Sequence, residues 1–214
     1  MTWQDLALLG GGLGLFLFGM KQMGDGLERA AGDSLRRFLE ILTRSRFLGL
    51  LVGLVFTMVV QSSSATTVMV VGFVRAGLMD LDQAAGVIFG ANIGTTITAQ
   101  LIALQVSDAA PVLLLAGVLL HCFCRRRFLQ DLGGVLAGFG MLFLGLTLMG
   151  EAASKLRDMP EAADFLAVFA RTPILGILAG LAVTAVIQSS SASVGLLQLL
   201  AAQGVIGLDS AIFV

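Results

Sequence analysis

The sequence predicts an all-α integral membrane protein built from two inverted repeats. Charged residues make up 13% of the 214 residues, apolar residues make up 57%, and the mean hydropathy is +0.96. In a soluble domain roughly a quarter of the residues are charged. Two uncharged stretches contain the same interruption, Gln-Ser-Ser-Ser, at 61–64 and at 188–191, and their surroundings match 127 positions apart, which indicates an internal repeat. The matching pairs are Gly49 with Gly176, Gly53 with Gly180, Thr57 with Thr184, and Gly77 with Gly204.

The first repeat is predicted to begin with a spanning helix and a surface helix. Residues 6–20 are uncharged and lead into Lys21, whose long side chain can reach the membrane surface, so 6–24 is predicted to span the bilayer. Residues 25–46 mix leucine and phenylalanine with charged residues at helical spacing, which predicts an amphipathic helix on the membrane surface. The chain start lacks the basic region of a cleaved signal peptide, so we expect the first helix to stay in the mature protein.

A re-entrant hairpin is predicted for residues 47–74. This uncharged stretch is too long for one comfortable span of about 20 residues and too short for two spans with a turn. The small and polar residues 61–67, called here the first tip, would form the turn inside the bilayer. The later uncharged stretch, 172–208, contains the second tip, residues 188–193.

Between the two tips the sequence predicts a broken helix and two further spans. Residues 83–107 are uncharged, but 90–96 interrupt them with two glycines, an amide and two hydroxyls, which indicates a helix broken near its middle. Residues 112–124 are a third, short span, which the arginines at 125–127 end, and 132–150 are a fourth. The second repeat starts with this fourth span, because three of its glycines align with three in the first span: Gly140, Gly145 and Gly150 with Gly14, Gly19 and Gly24.

The predicted organisation is a first inverted repeat at 1–108, a linking helix with a basic loop at 109–131, and an incomplete second repeat at 132–214. A second surface segment, 151–171, is weaker in charge than the first. At the offset of 127 the counterpart of Gly90 falls at position 217, beyond the printed chain. We therefore expect a truncated piece of a longer protein, with the second broken helix missing.

The distribution of arginine predicts the orientation. The five arginines of 25–46 and the three at 125–127 are separated by an even number of predicted crossings, so both groups are placed in the cytoplasm and 151–171 outside. The first repeat then begins with a helix that runs inward and the second with one that runs outward. Inverted repeats with interrupted helices are the construction of secondary transporters.

The residue types at the two tips suit an anion together with a hard cation. A helix that begins near Ala65 or Ala192 points free N–H groups and its positive dipole end toward the interruption, which favours an anion. Hydroxyls add donors, while their oxygens and the glutamine carbonyls can coordinate Na+, a hard cation. Because the uncharged stretches hold no Lys or Arg, a bound anion would depend on co-bound cations.

Simpler interpretations of these motifs stay open. Small-residue runs such as 62–64 also let helices approach closely, and the polar residues of 90–96 could cap a helix. Cys122 and Cys124 with His121 could in principle bind a metal. A zinc site needs more ligands than one helix end supplies, so we prefer helix packing for the cysteines.

An enzyme, a channel and a scaffold are the competing functional classes. A serine nucleophile needs a general base within hydrogen-bond reach, and the single histidine, His121, is predicted at the end of another helix. No Gly-x-Ser-x-Gly motif occurs, so we expect no enzyme. Hydroxyl-lined hairpins could also form a selective pore, and a scaffold or sensor without transport stays open. The net charge of −1 argues against a nucleic-acid partner.

Three motifs resemble those of the type II sodium-dependent phosphate cotransporters. They are Gln-Ser-Ser-Ser-Ala-Thr-Thr at 61–67, Gly-Ala-Asn-Ile-Gly-Thr-Thr at 90–96 and Gln-Ser-Ser-Ser-Ala-Ser at 188–193. The opening, 16–28, is similar to the bacterial branch, and the resemblance covers nearly the whole chain. It implies symport of inorganic phosphate by alternating access, with Na+ as the coupling ion and no other cofactor. The second tip departs from the first at Ser193, and no second copy of 90–96 follows.

The resemblance and the oxygen chemistry give two overlapping sets of candidate residues. Those expected to bind phosphate are Gln61, Ser62, Ser63, Ser64, Ala65, Thr66, Asn92, Thr95, Gln188, Ser189, Ser190, Ser191 and Ala192. Those expected to bind sodium are Gln61, Ser64, Thr66, Thr67, Asn92, Thr95, Thr96, Gln188, Ser191 and Ser193. The expected partners are phosphate, Na+ and the lipid bilayer, in a multi-pass protein of the bacterial plasma membrane. A phosphate exporter or an anion channel of the same fold is the alternative function, and the oligomeric state stays open, a homodimer included.

Overall fold

The computed structural model describes residues 2–31, 45–104, 106–157, 172–207 and 211–213. Within these residues the chain forms eight α-helices, one 3-10 helix and no strand, so the predicted all-α class is confirmed. The 3-10 helix, Ser107–Ala109, leads directly into α5. The α-helices in chain order are α1 Trp3–Ala31, α2 Arg46–Val60, α3 Ser63–Arg75, α4 Leu81–Ala103, α5 Ala110–Phe123, α6 Arg127–Arg157, α7 Pro173–Ile187 and α8 Ser190–Ala202.

Three helices of the described residues are long and apolar enough to cross a membrane: α1, α4, and α6 between Arg127 and Lys155. Their 29, 23 and 29 residues exceed the ~30 Å hydrocarbon core at about 1.5 Å per residue. The integral membrane class is thereby confirmed. The helices on either side of each tip are shorter, with 15 residues before the tip and 13 after it.

The chain divides into two compact units. Unit 1 comprises Met1–Gly19, Gln105–Pro111 and Met141–Val214, and unit 2 comprises Met20–Leu104 and Val112–Gly140. The first tip lies in unit 2 and the second tip in unit 1, while α1 and α6 contribute residues to both units. The predicted boundaries of the two repeats stay a prediction.

In unit 1 the first half of α1 packs antiparallel to the second half of α6. A Cβ placed on Gly12 would lie 2.8 Å from the Gly145 carbonyl oxygen, so the two backbones touch where neither residue has a side chain. Asp5, buried at the start of α1, forms an ion pair with Lys155 near the end of α6 and also accepts from Thr2. The start of α1 and the end of α6 therefore lie side by side, as inverted repeats require of their first helices, although the inversion itself stays a prediction.

In unit 2 the second half of α1 packs against the first half of α6. A Cβ on Gly26 would lie 3.0 Å from the Asp131 carbonyl oxygen, and the Arg29 Nε lies 3.3 Å from the Asp131 carboxylate. The helix α5 contacts α6 through Gly117 and Gly133. A Cβ placed on either glycine would lie 2.7 Å from the carbonyl oxygen of the other. Arg29 thus lies beside the start of α6, which begins at Arg127. The orientation of the chain in the membrane stays a prediction.

Unit 2 also contains a parallel pair of helices, α2 and α4, in direct backbone contact. A Cβ on Gly90 would lie 1.9 Å from the Leu50 carbonyl oxygen, and one on Gly53 would lie 2.0 Å from the Val87 carbonyl oxygen. A side chain at either glycine would overlap the backbone of the other helix, so these positions hold α2 and α4 at their closest approach. Successive contacts advance along both helices in the same direction: Gly86 with Arg46, Gly90 with Leu50, and Gly94 with Leu54.

The predicted break at 90–96 is wrong, because α4 is one continuous helix. The two glycines of 90–96 are used in the contact with α2, and the two threonine hydroxyls of this segment donate to carbonyl oxygens about one turn earlier in α4. Because the hydroxyls are bonded within the helix and the glycines are packed against α2, none of these residues favours a break in the helical backbone. Thr95 donates to Ala91 at 3.1 Å, and Thr96 donates to Ile93 at 2.7 Å.

The spanning helices α1 and α6 extend beyond their predicted ends. The helix α1 continues to Ala31 instead of ending near Gly24, and α6 continues to Arg157 instead of ending at Gly150. A change from apolar to charged residues does not by itself end a helix, since Glu, Lys and Arg are good helix formers. The rest of the two predicted surface segments, 32–44 and 158–171, lies outside the described residues.

Each uncharged stretch around a tip folds as two helices joined at that tip, α2 with α3 in unit 2 and α7 with α8 in unit 1. In unit 2 the α2 to α3 hairpin, the turn that follows it and the start of α4 bury one apolar cluster: Val52, Phe56, Val60, Val70, Met79, Ala84 and Val87. In unit 1 the apolar side chains of α7 are mostly exposed, with Leu181 at 65%, as expected of a helix that faces lipid. That each hairpin enters and leaves the membrane on one side stays a prediction.

Candidate functional site

The first tip is a tight turn in which Gln61 adopts the left-handed αL conformation, with φ 58° and ψ 21°. A residue other than glycine pays about 1–2 kcal/mol for this conformation, so surrounding contacts must maintain it. The Gln61 N–H donates to the Thr57 carbonyl at 2.7 Å, and the side-chain amide donates to the Met58 carbonyl. These bonds satisfy carbonyls at the end of α2 that a helix leaves unpaired.

The second tip repeats this local structure. Gln188 has φ 58° and ψ 23°, its N–H donates to Thr184 at 2.8 Å, and its side-chain amide donates to Ala185 at 2.6 Å. Among the described residues, Gln61 and Gln188 are the two with positive φ that are not glycine. The similarity of the two tips therefore extends from their sequence to their backbone dihedrals and hydrogen bonds.

The helices after the tips begin two residues earlier than predicted. We expected starts near Ala65 and Ala192, but α3 begins at Ser63 and α8 at Ser190. The serine before each helix is its N-cap, because a serine oxygen can accept the N–H of the third residue that follows. Ser62 accepts from Ala65 at 3.2 Å, and Ser189 accepts from Ala192 at 3.3 Å.

The two tips differ in what they expose. In the first tip Ser64 and Ala65 are exposed, whereas in the second tip Ser191 and Ala192 are buried. The first two N–H groups of α3 and of α8 belong to serines and have no acceptor within their own helix. Each tip therefore combines a positive helix end with hydroxyls, the arrangement that favours an anion.

A hydroxyl pair joins the two arms of each hairpin. The oxygens of Thr57 and Thr66 lie 2.9 Å apart and are buried, and the Thr184 hydroxyl donates to Ser193 at 2.9 Å. Thr66 and Ser193, which we predict to bind ions, thus use their hydroxyls in bonds across the hairpin. Thr57 and Thr184 were recognised in the sequence as matching positions. Their hydrogen bonds could not be predicted, because they depend on how the second helix of each hairpin packs against the first.

The residue of α4 that bonds the first tip is Thr98, which the sequence interpretation missed. Its hydroxyl donates to the side-chain oxygen of Gln61 at 2.6 Å. Asn92 and Thr96 are exposed, and within the described residues no hydrogen bond joins them or Thr95 to the first tip. The sequence could have indicated Thr98 through its position four residues after Gly94, which places it on the same helix face as the packing glycines.

Both tips are free of charged side chains, and the nearest charges along the hairpin of unit 2 stand at its base. There Arg46 and Asp82 form an exposed ion pair at 2.7 Å. In the part of the chain that the structure describes, no cluster of His, Cys, Asp and Glu could hold a metal ion. The His121 Nδ1 donates to the Gln130 carbonyl oxygen at 2.8 Å, a bond that joins the end of α5 to the first turn of α6.

The chain is similar to a known transport family over most of its length. A family model described as Na+/Pi-cotransporter matches residues 15–151 and 154–214. A protein of Bacillus subtilis (strain 168), named "Uncharacterized protein YqeW", is 34% identical over 93% of this chain and 64% of its own length. No solved structure matches the chain.

Two further relatives have names that specify phosphate. The Escherichia coli (strain K12) protein named "Putative inorganic phosphate export protein YjbB" is 29% identical over 92% of this chain and 36% of its own length. The "Sodium-dependent phosphate transport protein 2A" of Ovis aries is 46% identical over 27% of this chain and 9% of its own length. The chain thus spans less than two thirds of the length of these relatives.

Proposed function

This chain belongs to the Na+/Pi-cotransporter family, and we propose that it moves inorganic phosphate across the plasma membrane by Na+-coupled symport. Membership in a transporter family, together with three long apolar helices, supports a role in membrane transport rather than in catalysis. The observation that carries the proposal is the duplicated tip, in which a glutamine in the αL conformation is followed by a capping serine. Strained residues of this kind cluster at ligand sites.

We assign phosphate to the starts of α3 and α8. Two free N–H groups and the serine hydroxyls there offer donors to an anion, and the helix dipole adds partial positive charge. The donors of the first tip would come from Ser62, Ser63 and Ser64, and those of the second from Ser189, Ser190 and Ser191. Neither 61–67 nor 188–193 contains a charged residue, so the donors that the tips themselves offer to a phosphate with one or two negative charges are neutral.

We assign Na+ to the oxygens of the same tips. The side-chain carbonyl oxygens of Gln61 and Gln188 can each coordinate a cation while their amide nitrogens donate to a carbonyl of the preceding helix. Thr66 and Ser193 each donate to the carbonyl of the N-cap serine and accept from Thr57 and Thr184, so one lone pair of each hydroxyl oxygen remains for a cation. A cation beside the anion would supply the positive charge that the tip residues lack, which is the physical reason for coupling the two fluxes.

Helix length supports a re-entrant path for each hairpin. At about 1.5 Å per residue, the 15 residues of α2 or α7 cover roughly 22 Å, less than the ~30 Å hydrocarbon core. A hairpin that enters from one side would then place its tip within the membrane, where broken backbone is tolerated only if it lines a cavity or is buried in protein. A chain that turns within the membrane and a broken backbone that lines a cavity are both found at transporter binding sites.

The full-length protein, purified and reconstituted in liposomes, tests the proposal by uptake of radiolabelled phosphate under an inward Na+ gradient. We expect saturable uptake that collapses when choline replaces Na+, with protein-free liposomes as the control. Uptake that persists in choline and follows the membrane potential would identify a channel instead. Absence of uptake in every condition would remove the transport proposal.

Phosphate export is the second candidate, favoured by the similarity to the Escherichia coli protein named for that activity. Import and export use the same tips and differ in the direction that the cell's gradients impose. Deleting the gene separates them, since loss of an exporter raises intracellular phosphate after a phosphate load, and loss of an importer slows its uptake. The liposome assay alone reports coupling and not direction in the cell.

A further inference from the structure

One hydrogen bond connects α4 to the first tip, from the Thr98 hydroxyl to the Gln61 side-chain oxygen. The two oxygens lie 2.6 Å apart, and Thr98 is 3% exposed. A buried hydroxyl bonded to an amide oxygen is shielded from competition with water, so the bond holds both side chains firmly. Nothing in the family match or in the names of the relatives assigns a role to Thr98.

The packing of α2 on α4 brings Thr98 to this place. Three glycines at four-residue spacing on α4 face three carbonyls at four-residue spacing on α2, and Thr98 is the next position of the α4 row. The next carbonyl of the α2 row is that of Met58, which already accepts from the Gln61 amide. The fourth contact between the helices is therefore a relay: the Thr98 hydroxyl donates to Gln61, and Gln61 donates to Met58.

This relay fixes the Gln61 amide at both ends. Its nitrogen must face a carbonyl and its oxygen must face a hydroxyl, which determines the amide orientation. An amide oxygen has two lone pairs, so one remains after Thr98 has donated. Gln188 has the equivalent amide bond to Ala185, but within the described residues its side-chain oxygen accepts no hydrogen bond. Among the described residues, this bond to the amide oxygen is found at the first tip.

We propose that Thr98 is a positioning residue for cation binding at the first tip, where it holds the Gln61 carbonyl oxygen in place for Na+. The inference rests on the proposed function, because it takes Gln61 as a sodium ligand. A long side chain that is free to rotate must be ordered when an ion binds, and an existing bond removes that cost beforehand. Thr98 therefore acts through Gln61 and affects how much Na+ is needed more than how fast the loaded protein turns over.

The test compares Thr98→Val, which keeps the shape and removes the hydroxyl, with Thr98→Ser, which keeps the hydroxyl. In Na+-driven phosphate uptake we expect Thr98→Val to raise the Na+ concentration for half-maximal flux by about 2- to 10-fold, the cost of one freed side chain. Thr98→Ser should stay near wild type, and the maximal rate should change little in both. Thr147→Val is the matched control, since Thr147 bonds only a carbonyl of its own helix, that of Phe143.

A double substitution separates positioning from a direct or merely structural role. If Thr98 acts through Gln61, adding Thr98→Val to Gln61→Ala should cause no further rise in the Na+ requirement. Where Thr98→Val does not fold, Thr98→Ala and Thr98→Ser replace it as a pair, because both lack the methyl group and differ only in the hydroxyl. Stabilisation of the detergent-solubilised protein by Na+ alone, with choline as the reference, gives the same comparison without transport.

Two results would overturn the inference and leave the proposed function standing. One is a Thr98→Val protein with the Na+ requirement of wild type. The other is an equally large effect of Thr98→Val with and without Gln61→Ala, which would give Thr98 a role of its own. A wild-type protein that shows no Na+-dependent uptake and no stabilisation by Na+ would remove the proposed function first, and this inference with it.

Discussion

Replacing Gly90 with alanine is expected to destabilise unit 2 severely, because the added methyl group would lie 1.9 Å from the Leu50 carbonyl oxygen. The obstacle is backbone and not a flexible side chain, so α2 and α4 would have to separate. Overpacking of this kind costs about 1–3 kcal/mol or more, which corresponds to a melting temperature lower by roughly 2–12 °C for a protein of this size. Thermal unfolding in detergent, followed by fluorescence or light scattering, measures the shift.

The matched control for this substitution is Gly72→Ala in α3 of the same unit. A Cβ on Gly72 meets nothing within 4 Å, and alanine is a better helix former than glycine by about 1 kcal/mol. We therefore expect Gly72→Ala to be neutral or slightly stabilising. Equal melting temperatures for Gly90→Ala and Gly72→Ala would show that α2 and α4 do not make the close contact described here.

The largest effect on transport is expected from Gln61→Gly and Gln188→Gly. Glycine adopts the αL conformation of these positions without strain, so the backbone turn should survive each change even though the capping bond of the side chain is lost. The proposed cation ligand is lost as well. We expect folded protein whose Na+-driven phosphate flux falls by about 100-fold or more, since removing one well-placed electrostatic group commonly costs that much.

Ser64→Ala provides the comparison for these glutamine variants. Ser64 is exposed in the first turn of α3 and is one of several donors there, so its loss should cost only about 3- to 10-fold in flux, the value of one hydrogen bond. Yield, size-exclusion profile and melting temperature establish that each variant folds. If the phosphate flux of the glutamine variants equals that of Ser64→Ala, the αL glutamines stabilise the turn but do not bind the ion.

Sequence patterns predicted the parts of this fold that depend on local composition. Uncharged length located the three helices that are long enough to span a membrane, whereas the predicted third span, 112–124, folds as a helix of 14 residues. The impossibility of fitting one or two spans into 47–74 indicated two helices with a turn between them. The duplicated Gln-Ser-Ser-Ser located both tips, and their backbone dihedrals match within a few degrees. Helix ends were less accurate, because α1 and α6 continue into charged residues without a local signal to stop.

The errors arose where a residue type serves two purposes. Glycines and threonines of 90–96 were interpreted as a break in a membrane helix, yet in α4 they pack against α2 and bond their own helix. Spacing could have separated these cases, because Gly86, Gly90 and Gly94 recur every fourth residue and form one face. The partner of that face lies about 40 residues earlier in the chain, and no local pattern identifies it. Thr98 was missed for the same reason.

Thermal stabilisation by Na+ and phosphate tests most directly whether the two ions bind together at the neutral tips. The melting temperature of the purified protein is measured in choline chloride, with Na+ alone, with phosphate as its choline salt, and with both, at constant ionic strength. Binding sites that support each other must stabilise the folded protein by more than the sum of their separate effects. We predict a combined shift that exceeds this sum; shifts that are only additive would contradict a shared site.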